Sequence, residues 1–242
     1  MNLSFGRLSA SLNGPIETAA NDHGGVGFAL LVGFILCIFS LCMAIFLVWI
    51  DRWAAKRDNV QVVISEDEKF RIKDLRHFNG LPFWLVTSSC LVVYMVIFPY
   101  VQFASAMLED RFGFGSSAGD FYSLPYFISA FLSPITGVII DKHGKRALFI
   151  LISSIIVLLS CLITIMIPPA KENEGPQYLV LIPLILNGIG DAVYAAAIWA
   201  CVPYTVPNKL VGTAFGLCTA LQNVGLMVSP LLGAQCLKTT KQ

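Results

Sequence analysis

Residues 137–146 read Gly137-Val138-Ile139-Ile140-Asp141-Lys142-His143-Gly144-Lys145-Arg146, in the short gap between the apolar runs 121–140 and 147–169. One acid, two glycines and three strongly basic side chains in so tight a loop are unusual between two apolar helices. Gly144 offers the positive φ that a turn between antiparallel spans requires. Asp141 is expected to accept hydrogen bonds from the start of the next helix, where the positive end of the helix dipole favours a carboxylate. Lys145 and Arg146 then fall at the rim of the bundle. The plainer alternative is an ordinary basic turn that contains an acid.

Composition sets the solvent. Of 242 residues, 56% are hydrophobic and 13% are charged, about half the charged fraction of a soluble domain. With a mean hydropathy of +0.74, the chain needs lipid around it. The net charge of +1 is dispersed among loops and points to no nucleic-acid partner. The seven cysteines (Cys37, Cys42, Cys90, Cys161, Cys201, Cys218 and Cys236) lie inside apolar runs or at their ends, with no Cys-x-x-Cys pair and no neighbouring His. They read as small apolar fillers, and no metal site or cofactor is expected.

A 30 Å hydrocarbon core takes about 20 apolar helical residues. Residues 26–50, 82–107, 121–140, 147–169, 178–203 and 210–236 meet that length. The first is too long for a signal peptide and lacks a basic flank before it. Residues 1–22 are apolar but carry Ser4, Arg7, Ser9, Ser11 and Asn13. They fit either a disordered tail or the second part of a cavity-lining helix.

Basic residues orient the spans. Seven lie in 51–81, three more are Lys142, Lys145 and Arg146, and Lys209 is the eleventh; the other face has four, Arg111, Lys171, Lys238 and Lys241. The 51–81 and 141–146 loops are therefore expected in the cytosol. Residues 51–81 also hold six acids, so they mark a solvated boundary. They read as a tether, or as a linker with an interfacial helix through Phe70, Ile72, Leu75 and Phe78.

The spacing Gly-x-x-x-Asp-x-x-Gly followed by two basic residues resembles the signature loop of the major facilitator superfamily of transporters. If 51–81 is the linker of a twelve-helix carrier, the Asp141 loop joins helices eight and nine, where that superfamily repeats the signature. Leu81-Pro82-Phe83-Trp84-Leu85, Phe112-Gly113-Phe114, Ser133-Pro134, Val211-Gly212-Thr213-Ala214-Phe215-Gly216 and Leu221-Gln222-Asn223-Val224-Gly225-Leu226 are similar to a lysosomal dipeptide-transporting branch of it. This likeness covers residues 3–234.

The resemblance implies an all-α membrane protein, a helical bundle running from the end of helix five to helix eleven. Its parts are the end of the amino-terminal half at 1–50, a cytosolic linker at 51–81, and the carboxy-terminal half at 82–242 without helix twelve. Helices seven to eleven are expected to pack as one unit, with helix six and residues 1–22 apart from them. Such a chain is expected to be incomplete and inactive alone. No acidic dileucine sorting string occurs in it.

One charge falls inside a span, and a second, Arg7, joins it at bilayer depth if residues 1–22 continue a cavity-lining helix rather than form a tail. Asp191 is an acid inside a span, flanked by Gly188 and Gly190. An intramembrane carboxylate faces a cavity or a partner. It is placed to bind a peptide's ammonium group or carry a proton, unless it reaches water at the helix end. Phe5-Gly6-Arg7-Leu8-Ser9 resembles the family's helix-five segment, whose arginine faces the central cavity. A guanidinium there suits a peptide carboxylate through paired hydrogen bonds. By the same resemblance its complement is a helix-four glutamate, which this chain does not contain.

Tyr94, Gln102, Trp199, Gln222 and Asn223 complete the expected substrate-binding set, with Tyr100 and Tyr126 as further lining. Gly137, Asp141, Gly144, Lys145 and Arg146 form the expected conformational latch. Prolines 99, 125, 134, 183 and 230 are expected to free carbonyls and bend spans. The function expected is facilitative export of dipeptides from lysosomes by alternating access, with no catalytic residues and no enzyme activity. Expected partners are the dipeptides, the bilayer, a glycosylated lysosomal membrane protein and a second copy of the chain. A channel or receptor is the alternative, but no pore ring or filter repeat is visible.

Overall fold

The computed structural model describes residues 2–58, 80–170 and 175–240, and every regular element among them is helical. Stretches His23–Arg57, Leu81–Gln102, Leu124–His143, Arg146–Met166, Tyr178–Tyr204 and Asn208–Gly233 are long and apolar enough to cross a membrane. They fall on the six runs that hydropathy picks out. The order is α1 (Asn2–Arg57), α2 (Leu81–Gln102), α3 (Ala104–Asp110), α4 (Ala118–Tyr122), α5 (Leu124–His143), α6 (Arg146–Met166), α7 (Leu181–Cys201) and α8 (Val211–Thr240).

Boundaries move where proline and glycine intervene. The 82–107 run is two helices, because α2 ends at Gln102, shortly after the internal Pro99, and α3 starts after Phe103. Pro99 has no N–H for the carbonyl of Met95. Ser229 of α8 supplies the missing donor through its Oγ at 2.7 Å. The 121–140 run begins with the short α4, breaks at Ser123, and continues as α5 to His143. Gly144 ends α5 at φ 68°, its N–H on the carbonyl of Ile140 at 2.8 Å.

The chain forms two compact units, Met1–Gly14 with Arg71–Gln242, and Pro15–Phe70. Residues 1–22 were expected to stand apart from the later helices. For residues 1–14 that expectation fails, because Arg7 needs polar partners and finds them on α5 and α7. The tail alternative fails too, since α1 is helical from Asn2, broken only at Gly25 with φ 71°. In the second unit, the apolar window of His23–Arg57 has no buried residue, and Arg57 lies 5.2 Å over the Trp53 ring. The linker expected at 51–81 starts inside α1; the interfacial helix through Phe70, Ile72, Leu75 and Phe78 lies outside the described residues.

In the first unit α7 is the central element, packed on α5 and α6, while α2 packs on α8. Small residues make this possible, as helices in lipid associate by close packing. A Cβ on Gly188 would come within 2.7 Å of the Pro125 carbonyl oxygen, and one on Gly190 within 2.7 Å of a Val157 methyl. Cys90 and Cys218 fill the core between α2 and α8 as expected of small fillers, whereas Cys37 and Cys42 are exposed on α1.

Gly188→Ala should therefore lower stability by about 1–3 kcal/mol through overpacking. Gly137 has open space around its Cβ direction, so Gly137→Ala should be neutral or stabilising by up to about 1 kcal/mol. Thermal unfolding of the purified protein in detergent measures both, and equal effects would contradict the packing described.

Candidate functional site

Arg7 enters from α1 at a point where α5 and α7 both present polar groups. Ser129 and Ser133 are four residues apart on α5 and share one face. Asp191 stands on α7, and Nη2 of Arg7 meets its Oδ1 at 2.8 Å. The same nitrogen reaches the Asp191 carbonyl at 3.3 Å. Nη1 donates to Ser133 Oγ at 2.8 Å and also to Ser129 Oγ.

The hydroxyls then pass the bonding on. Ser129 donates to Asp191 Oδ2 at 3.0 Å, and Ser133 donates to the Ser129 carbonyl at 2.6 Å. Four guanidinium N–H groups and both carboxylate oxygens are used. The side chains of Arg7 and Asp191 are 12% and 10% exposed, so each removes the other's need for water. An uncompensated charge at this depth would be far costlier than this closed network.

A second group of polar contacts lies farther along α7. Trp199 donates from Nε1 to Tyr94 Oη at 3.2 Å. Tyr94 sits edge-on to Tyr194, ring centroids 5.6 Å apart, and Tyr194 exchanges a hydrogen bond with Ser89 at 2.9 Å. Tyr100 bonds Thr164 at 2.7 Å.

Gln102 is exposed at the last residue of α2, eight residues or about 12 Å along the helix from Tyr94. Gln222 is half-buried on α8 and Asn223 exposed. Among the described residues none of these three hydrogen-bonds to the Arg7–Asp191 network. The structure thus brings Arg7 to Asp191 and Tyr94 to Trp199, and leaves Gln102, Gln222 and Asn223 outside.

Sequence reading missed Ser129, Ser133, Asn187 and Tyr194. Serines at an interval of four, and Asn187-Asp191-Tyr194 at intervals of four and three, were the available signals. Both spacings align residues on one helical face.

At the loop, Asp141 does not cap the following helix. Because α5 continues to His143, Asp141 stays in its last turn, and α6 is entered through Lys145 without a side-chain cap. The Asp141 carboxylate instead meets Arg146 Nη2 at 3.3 Å. The Arg146 guanidinium also lies 4.4 Å over the ring of Tyr204, in the turn that follows α7. Lys145 is exposed, and an open cleft of about 450 Å³ runs along Gly144–Leu148, Cys201 and Tyr204. Gly137 lies one turn before Asp141 on α5.

A membrane helix bundle with this loop at the α5–α6 turn has a recorded counterpart. Residues 2–230 match the family model of the Major Facilitator Superfamily. The chain belongs to the major facilitator superfamily.

Within the superfamily it is similar to the lysosomal dipeptide transporter MFSD1 of Bos taurus, 32% identical over 99% of this chain and 51% of the relative. The Homo sapiens protein of that name is 29% identical over 98% of this chain and 51% of its own length. A more distant similarity is to macrolide efflux protein A of Streptococcus pyogenes, 29% identical over 68% of this chain and 38% of that protein. The chain spans about half the length of the MFSD1 relatives it matches. No solved structure matches it at the same stringency.

Removing one charge of the network tests its role in the fold. Arg7→Met leaves Asp191 buried without a counter-charge and should cost about 3–5 kcal/mol. Adding Asp191→Leu should recover most of that loss. Thermal unfolding of the single and double variants is the measurement, and strictly additive losses would show the two charges to be independent.

Proposed function

We propose that this chain is part of a facilitative carrier of dipeptides that works by alternating access, moving them out of lysosomes. The observation that supports it best is the Arg7–Asp191 pair at bilayer depth. A free dipeptide is zwitterionic, so it offers a carboxylate to one partner and an ammonium to the other. The two internal charges are already matched in the empty state. A zwitterion can replace each half of that match, whereas a singly charged solute leaves one buried charge bare. The relatives named as lysosomal dipeptide transporters agree with this substrate class.

In this reading residues 1–50 belong to the first half of the carrier and 82–242 to the second. The Arg7 network then ties the halves together in the empty state and opens when substrate arrives. Arg7 holds the peptide carboxylate, Asp191 the ammonium, and Tyr94 and Trp199 line the path next to them. The loop of Gly137, Asp141, Gly144, Lys145 and Arg146 acts as a latch at the cytosolic rim.

The carboxylate contact has a direct test in proteoliposomes holding a version completed to the length of the relatives. Arg7→Lys should weaken dipeptide uptake although the charge is kept, because the paired geometry is lost. Arg7→Ala should weaken it more. Amidating the peptide's C-terminus should then cost the unsubstituted protein far more than the Ala variant. Equal losses in both would remove Arg7 from the carboxylate.

For the latch, Asp141→Asn should reduce flux severalfold while leaving membrane insertion and abundance intact. Unchanged flux at equal abundance would reduce the loop to a turn.

A further inference from the structure

Asn187 is a buried polar group that its surroundings leave unsatisfied. It stands on α7 and is completely buried. Among the described residues, neither its Oδ1 nor its Nδ2 has a hydrogen-bond partner. Buried hydroxyls of the same packed helices are paired: Ser129 with Asp191, Ser133 with Ser129, and Ser160 with Pro183. A carboxamide carries two donors and a two-lone-pair acceptor, and native interiors seldom leave both ends empty.

Sliding α7 cannot relieve it. Gly188 packs on the Pro125 backbone and Gly190 on Val157, each too closely to admit a Cβ without movement. Asn187 precedes Asp191 by four residues, so the two side chains stand one turn apart on the same face. One is an anion held by Arg7; the other is an amide with nothing to hold.

We propose that Asn187 is the subsite for the peptide bond of the bound dipeptide, and hence the residue that separates dipeptides from free amino acids. This rests on the dipeptide reading above. A carboxamide matches a peptide group donor to acceptor and acceptor to donor. In a dipeptide the peptide group follows the ammonium-bearing carbon directly. A receiver for it must therefore stand within about one helical turn of the group that takes the ammonium. Asn187 meets that requirement relative to Asp191.

A free amino acid brings both charges but no peptide group, so it would leave the amide unpaired. Sites built around a hydrogen bond reject analogues that lack it more strongly than apolar pockets reject a missing methylene. Asn187 is completely buried, so a ligand reaches it only when the elements around α7 part, and the Arg7–Asp191 pair stands one turn away on the same face.

The test measures binding of three probes to the purified version completed to the length of the relatives: alanyl-alanine, its ester analogue with oxygen in place of the peptide N–H, and alanine. Asn187→Leu is compared with the unsubstituted protein, and Asn187→Ala serves as the smaller variant if Leu impairs folding. The unsubstituted protein should prefer the peptide over the ester by roughly tenfold. The variant should bind both alike and keep its affinity for alanine. Its melting temperature without ligand should rise, because an unpaired amide has been removed. An unchanged peptide-to-ester ratio in the variant would overturn the assignment while leaving the dipeptide reading intact. A lowered melting temperature in both variants would also overturn it, since the amide would then hold a structural water. Failure of the unsubstituted protein to bind alanyl-alanine would defeat the dipeptide reading itself, and this inference with it.

Discussion

A guanidinium and a carboxylate at bilayer depth must satisfy each other, because lipid offers them nothing. The Arg7–Asp191 pair is the constraint around which the first unit is arranged. Through Arg7 it joins α1 to α5 and α7, and residues 1–14 belong to the same unit as those helices. It also explains the two serines of α5, whose hydroxyls each accept from the guanidinium and donate onward. Either charge alone would be a defect; together with the serines they form a closed set of bonds. Such a set is stable when complete and costly when half made.

The helix carrying Asp191 also reaches the loop at the end of the bundle. Tyr204 lies thirteen residues beyond Asp191, just past α7, and its ring supports Arg146. Arg146 in turn holds Asp141 at the end of α5, the helix that also carries Ser129 and Ser133. Thus α5 and α7 are linked twice, through a buried polar network near their middles and, at one end, through the half-buried Arg146 of α6, which holds exposed Asp141 and the ring of Tyr204. The close seats of Gly188 and Gly190 on neighbouring helices make α7 a stiff element between the two places.

Proline and its compensation follow the same logic on a smaller scale. Pro99 leaves the Met95 carbonyl without its helical donor, and Ser229 reaches across from α8 to replace it. The free carbonyl was legible from Pro99 alone, but the serine that answers it lies 134 residues from Met95.

By itself the sequence determined the solvent, the six spans and the family. Runs of twenty or more apolar residues have no stable alternative to a membrane helix, and the Gly137–Arg146 spacing is specific enough to place the turn. It also pointed to Asp191, because a charge inside an apolar run must have a reason to be there, and to Arg7 through the family resemblance of its segment. Only the tertiary structure decided that the two charges hold each other, that Ser129 and Ser133 complete the network, and that Asp141 pairs with Arg146 instead of capping α6. It alone showed Asn187 buried without a hydrogen-bond partner among the described residues. Periodicity fixes which face a residue occupies, but not which helix comes to meet that face. That choice is made by packing, through glycines whose missing Cβ lets neighbouring helices approach.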